Sequence, residues 1–280
     1  MYYTMRSPIR DLSLQDVLPY SLLTPIVTIS KQDKIWTAST LLRFFLESFT
    51  DQLVVLDNKL PSGLVGGYDI IRGILDDPSF DFFEDKTVDK IMHTDVDAVS
   101  DETKIIELLQ HWRQSRRAFS IINRDDDFSA LSIRILLGVY PFLETTLTIQ
   151  DIPRKKLIRY TKEQSVHDVL NIMLENRTRR LVLEDSQEYI SDRIIIEYLS
   201  TNPNYMHDID SFLEMDSSIF TPHIIKQIPE NTTIQDLAKT LYTMEHPYVA
   251  NGDQVFSPFD MIGILERGDI YAKRLASVTG

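Results

Sequence analysis

Two aspartates stand out in this 280-residue chain, each just after a short apolar run. "GLVGGYDI" sets Gly66, Gly67 and Tyr68 ahead of Asp69, and "VFSPFDM" sets Ser257 three residues ahead of Asp260. An apolar run, a small or hydroxyl residue and an acid three positions on reads as a strand turning into a helix. A carboxylate there can accept both hydroxyls of a ribose diol, and an ionised acceptor makes the stronger hydrogen bonds. Free backbone N–H groups at the helix start face outward, where a phosphate can bind. Ser257 adds a donor, and Gly66 in its place lets a ligand approach the backbone. Pro258 removes one N–H from the second turn. An aspartate in front of a helix is equally a favoured N-cap, stabilising by about 1 kcal/mol with no ligand. Both readings stand for Asp69 and Asp260. The lysine of a P-loop and the GxGxxG spacing are absent.

Two further stretches share the pattern without the acid. In "SALSIRILL" and "EYISDRIII", Ile135 and Ile194 take its place, and isoleucine accepts no hydroxyl. Arg134 and Arg193, one residue earlier, are candidates for a ligand phosphate or for surface solvation. Thr28 is a candidate for a base or phosphate, or an ordinary exposed strand residue. No HExxH or other metal-ligand spacing joins the six histidines, and no nucleophile–base pair stands out.

The elements that position these motifs recur. Ile105, Leu108, Leu109 and Trp112 fall at i, i+3, i+4, i+7, as do Val166, Val169, Leu170 and Met173, and Ile234, Leu237, Ala238 and Leu241. Ile35, Ala38, Ser39 and Leu42 repeat the spacing with one polar lapse. Each set is one face of an amphipathic helix. A short strand ends six residues before each helix ("IVTI", "VDAV", "LIRY", "IKQI"), and a second strand follows it ("LVVL", "FSII", "RLVL", "YVA"). The motif strand and its helix complete a β-α-β-β-α unit, four times over. Leads precede the units: "SLQDVL" at Ser13, "TVDKIM" at Thr87, "TIQDIP" at Thr148 and, more loosely, "DIDSFL" at Asp208. Ser165-x-x-Asp168 and Thr233-x-x-Asp236 are capping boxes for two of the helices. Self-similarity at a fixed period defines the fold before any single motif does.

This pattern resembles the cystathionine-β-synthase (CBS) domain, whose unit opens on such a lead and closes on G-h-h-[ST]-x-x-D-[IL], with h apolar. "GLVGGYDI" departs from it at Gly66, and "VFSPFDM" matches at Ser257 and Asp260. The resemblance implies an α/β (α+β) fold of four CBS repeats, at about 13–78, 86–142, 147–203 and 208–265. Repeats pair into pseudo-twofold Bateman modules, here residues 1–143 and 144–280. It further implies a non-enzymatic regulatory sensor that takes AMP, ADP, ATP or S-adenosylmethionine in clefts between paired repeats. No cofactor is required and a regulated protein target is implied. The alternative is an interaction scaffold of the same fold that binds no nucleotide.

Composition sets the remaining bounds. Net charge is −13 with pI about 4.9, which disfavours nucleic-acid partners outside a local basic patch. The patches are Arg113, Arg116 and Arg117, and Arg177, Arg179 and Arg180; each follows a helix, where cations also suit the dipole. No apolar run reaches ~18 residues, so no membrane partner is expected. Zero cysteines exclude thiolate chemistry, and a cytoplasmic protein is the default expectation. Phe80, Phe82 and Phe83 read as an exposed aromatic cluster suited to a homodimer contact.

Overall fold

The expected helix faces are buried: all sixteen positions named above are at most 3% exposed. The computed structural model describes residues 7–18, 24–45, 52–96, 98–124 and 127–272. Repeat 1 contains β1 (Thr28–Ser30), α1 (Ile35–Phe45), β2 (Gln52–Asp57), β3 (Leu60–Gly66) and α2 (Gly67–Asp76). Repeat 2 contains β4 (Ala98–Val99), α3 (Ile105–Ser115), β5 (Phe119–Arg124), β6 (Asp127–Ser132) and α4 (Ile133–Leu136). Repeat 3 contains β7 (Arg159–Tyr160), α5 (Val166–Glu175), β8 (Arg180–Leu183), β9 (Glu188–Ser191) and α6 (Asp192–Thr201). Repeat 4 contains β10 (Lys226–Gln227), α7 (Ile234–Thr243), β11 (Val249–Asn251) and β12 (Gln254–Phe256). A 3-10 turn, Pro258–Met261, then leads into α8 (Ile262–Leu265).

Every repeat has one sheet topology. The first strand pairs parallel with the second across the helix, and the second pairs antiparallel with the third. A parallel pair needs such a crossover, and the helix supplies it. Two sheets gain a fourth strand. Thr24–Pro25, just ahead of repeat 1, pairs with β6 of repeat 2, and His223–Ile224, just ahead of repeat 4, pairs with β9 of repeat 3.

The leads are exchanged in the same way. The first N–H of each long helix has no partner within its own helix. In all four repeats it finds a carbonyl of another repeat's lead, which bonds back. Ile35 N–H donates to Lys86 O (3.1 Å) and Val88 N–H to Asp33 O (2.9 Å); Ile105 N–H donates to Leu12 O and Leu14 N–H to Thr103 O (both 2.9 Å). Val166 N–H donates to Met215 O and Ser217 N–H to Gln164 O (both 2.8 Å); Ile234 N–H donates to Leu147 O (3.1 Å) and Ile149 N–H to Thr232 O (3.0 Å). Repeats 1 and 2 thus trade leads, as do repeats 3 and 4. The fourth lead is accordingly the turn at Asp216, which bridges to Ser165. The expected "DIDSFL" at Asp208 instead forms its own helix, Ile209–Glu214, capped by Asp208. Ser165 and Thr233 do cap α5 and α7, each accepting from the third N–H at 3.1 Å.

Two compact units form, each with its own core. One comprises Val27–Val96 and Lys156–Ile225, carrying repeats 1 and 3; α1 packs on α6, and α2 on α5 and α6. The other comprises Met1–Ile26, Asp97–Lys155 and Lys226–Gly280, carrying repeats 2 and 4; α7 packs on α4, and α8 on α3. Helix packing therefore joins alternate repeats, and each lead bonds a helix start of its own compact unit. The grouping by compactness runs across the contiguous division at residue 143.

The aromatic cluster expected at the surface is mostly core. Phe82 and Phe83 are at most 1% exposed and meet edge to face at 4.9 Å; Phe80 alone is exposed, at 47%. The helix Asp81–Glu84 turns them inward into the core that also holds Ile74 and Val88. In the other unit Trp112 is fully buried and donates from its indole to Ser120 Oγ at 2.7 Å. Trp112→Ala should lower the unfolding free energy by about 3–5 kcal/mol through the cavity it leaves. A denaturant melt showing a loss under about 1 kcal/mol would contradict this account of the core.

Candidate functional site

The strand-to-helix junction is built alike in all four repeats. In repeats 2 and 3 a serine is the N-cap. Ser132 Oγ accepts from Ile135 N–H and Ser191 Oγ from Ile194 N–H, both at 3.3 Å. Ile135 and Ile194 are buried apolar residues that offer a ligand no acceptor. In repeats 1 and 4 an acid holds the third helical position, and the bond runs back. Asp69 Oδ2 accepts from Gly66 N–H at 2.9 Å. Asp260 Oδ2 accepts from both the N–H and the hydroxyl of Ser257, each at 2.7 Å. The acids are therefore not the N-caps expected from the sequence; Gly66 and Ser257 are, and Asp69 and Asp260 close the capping box from inside the turn.

Each carboxylate has a second oxygen, and each of these meets a cation. Asp69 is fully buried, and its Oδ1 lies 3.4 Å from Arg72 one turn along α2. The Asp260 side chain is 4% exposed, and its Oδ1 is ion-paired with Lys155, which is 51% exposed. The Lys155 ammonium also stands 5.8 Å over the Phe259 ring, a cation–π contact. Sequence reasoning missed both cations. The i+3 spacing of Arg72 was a legible signal; the Lys155 contact spans more than a hundred residues and was not.

The other candidates sit as follows. Gly67 is the first residue of α2, where a Cβ would lie 2.9 Å from Asp192 Oδ2 and 3.1 Å from Ile196 Cδ1 on α6. Its small size is what lets these two helix starts approach. Gly63 serves a similar purpose, since a Cβ there would meet Met92 and the His93 carbonyl. Tyr68 is half-buried, its hydroxyl 3.4 Å from Leu174 O, and Thr28 is exposed on β1. Arg134 is buried, contrary to the surface alternative. Its guanidinium donates to Tyr242 O at 3.1 and 3.2 Å and to Met244 O, satisfying carbonyls at the end of α7. Arg193 is half-buried, and its backbone N–H donates to Asp192 at 2.9 Å.

The basic patches follow helices as expected. Arg116, the first residue after α3, and Arg177, the second after α5, are both in left-handed backbone, at φ 57° and 49°. Arg113 is ion-paired with Glu266 at 2.6 Å and Arg179 with the buried Asp192 at 2.7 Å. An open depression of about 590 Å³ lies between Leu143–Leu147, Gln235 and Asp269; neither Asp69 nor Asp260 lines it. Among the described residues no group of three acids or histidines could hold a metal, and no helix is long and apolar enough to cross a membrane.

Gly67→Ala tests the close approach of α2 and α6. Alanine in a helix ordinarily gains up to about 1 kcal/mol over glycine. Here Asp192 is held by Arg179 and cannot yield freely, so a loss of about 1–3 kcal/mol from overpacking is expected in a thermal melt. A neutral or stabilising result would contradict the packing argument.

Comparison with known proteins gives a family match for one repeat and a shared fold for the chain. The CBS-domain family model matches residues 149–200, which span the lead and all five elements of repeat 3. Protein MJ1225 from Methanocaldococcus jannaschii, described as an archaeal homologue of γ-AMPK, is similar in fold. It is 17% identical with a TM-score of 0.74, and the match covers 90% of this chain and 99% of that one. A conserved protein from Pyrococcus horikoshii matches over 91% of this chain and 100% of its own, at 12% identity and TM-score 0.51. No curated protein matches the sequence. Residues 149–200 are thus matched as a CBS domain, and they are one of four units in this chain that share a sheet topology, a strand-to-helix junction and a traded lead.

Proposed function

We propose that the chain is a non-enzymatic regulatory protein that binds adenosyl ligands beside Asp260 and beside Asp69, with repeats 1 and 2 (residues 1–143) acting as one module and repeats 3 and 4 (144–280) as the other. The observation that carries the reading is the carboxylate at the third helical position in repeats 1 and 4. It is nearly buried and accepts a backbone N–H from the start of its own turn. A ribose diol fits such an acceptor, and ionised hydrogen bonds out of water are the stronger ones. The traded leads support the pairing of consecutive repeats. AMP, ADP, ATP and S-adenosylmethionine all carry the ribose, and a protein target and a homodimer complete the proposal. With Phe82 and Phe83 in the core, the dimer rests on the fold alone.

One observation favours the alternative, a scaffold that binds no nucleotide. Both acids already have protein partners on both oxygens, so each could be a capping residue and nothing more.

Thermal shift separates the two readings. A ligand that binds only the folded chain stabilises it by about 2.7 kcal/mol at a hundredfold excess over Kd. AMP, ATP or S-adenosylmethionine should raise the melting temperature of the wild type. Asp260→Ala should weaken the binding about tenfold to a hundredfold, since a hydrogen bond to a charged group contributes about 1.5–3 kcal/mol. If the variant only melts a few degrees lower and every ligand response is unchanged, Asp260 is a cap and the scaffold reading stands.

A further inference from the structure

The traded lead of repeat 3 brings a cation to the acid of repeat 4. Lys155 follows seven residues after Thr148, which is bridged to Thr233 at the start of α7. Between them Ile152 O accepts from Gln254 Nε2 at 3.2 Å, holding the segment along β12. Lys155 therefore reaches Asp260 from a backbone fixed at two points. The position seven residues after Thr87, ahead of the Asp69 site, is Thr94, and the position three after Asp260 is Gly263 where Asp69 has Arg72. The two acids thus draw their cations from different places. The cation at Asp260 comes on a half-exposed lysine side chain from another repeat.

We propose that Lys155 is the specificity-determining residue of the Asp260 site and that it selects adenosyl ligands bearing a phosphate over the cationic S-adenosylmethionine. The inference rests on the adenosyl reading above. Asp260 Oδ2 is engaged by Ser257, so a ribose diol must take Oδ1 and displace the ammonium. The displaced ammonium stays within a side chain's reach of the ribose, among Arg154 and Lys156 in the sequence. A 5′-phosphate gives it a new anionic partner, so one ion pair is exchanged for another. Uncharged adenosine breaks the pair without replacing it. S-adenosylmethionine puts its sulfonium where AMP has the phosphate and its carboxylate several bonds further out, so the nearest charge to the ammonium is a like one, which is unfavourable.

Isothermal titration of the full chain tests this with AMP, adenosine and S-adenosylmethionine against wild type, Lys155→Gln and Asp260→Asn. Wild type should bind AMP at least about tenfold tighter than S-adenosylmethionine, with adenosine between, the scale of one charge-assisted hydrogen bond. Lys155→Gln should weaken AMP about tenfold, leave adenosine equal or tighter, and collapse the ranking. Asp260→Asn should weaken all three. If AMP and S-adenosylmethionine bind wild type equally, or if Lys155→Gln shifts AMP and adenosine alike, the selectivity proposal is overturned while the adenosyl reading survives. If none of the three binds wild type, both fall.

Discussion

Everything in this fold depends on how four helices begin. The first N–H groups of an α-helix need acceptors from outside it, and here the acceptor is a backbone carbonyl from another repeat's lead. Four such bonds, one per helix, recur at the same places, each matched by a lead N–H that donates to a carbonyl just ahead of the helix. Each contributes on the order of 1 kcal/mol net, which is modest beside the burial of the cores. Their larger effect is positional: a repeat cannot form its own helix start without its neighbour's lead. Each of these bonds lies within one compact unit, and residues distant in sequence are delivered to each motif. Lys155 beside Asp260 is one consequence.

The same constraint shows what the sequence could and could not reveal. Periodicity located the helices because the apolar face of each is what the core buries, down to Ile105, Leu108, Leu109 and Trp112 at zero exposure. The strands were legible because the spacing to each helix is constant. The fourth lead was misplaced at Asp208: Asp216-Ser-Ser-Ile shares almost no residues with Thr87-Val-Asp-Lys, and its backbone bonds to the start of α5 mark it as equivalent. Backbone bonds of this kind tolerate most side chains, so they leave little trace in a sequence. Phe82 and Phe83 were misjudged for a related reason: a helix of four residues is too short for a period to show which way it faces.

The two acids sit where structure and ligand chemistry compete for the same atoms. A capping box uses one carboxylate oxygen and leaves the other facing a cation. In repeat 2 a serine hydroxyl caps the helix and the junction holds without a carboxylate, while in repeat 3 Ser191 is joined by the buried Asp192, which accepts from Arg193 N–H. Asp69 and Asp260 are thus more than the turn requires, which is the physical argument for a ligand. Gly67 shows the opposite outcome. A glycine beside a suspected phosphate site is accounted for by Asp192 and Ile196 on the facing helix.

The most direct measurement of the central claim is the number of adenosyl ligands that one chain holds at saturation, counted by native mass spectrometry over a range of AMP and S-adenosylmethionine concentrations. Two junctions with an acid and two with isoleucine predict one or two bound molecules per chain and no more, with Asp69→Ala and Asp260→Ala together leaving none. Three or four equivalent sites, binding that persists in the double variant, or an empty chain at every concentration would contradict the account.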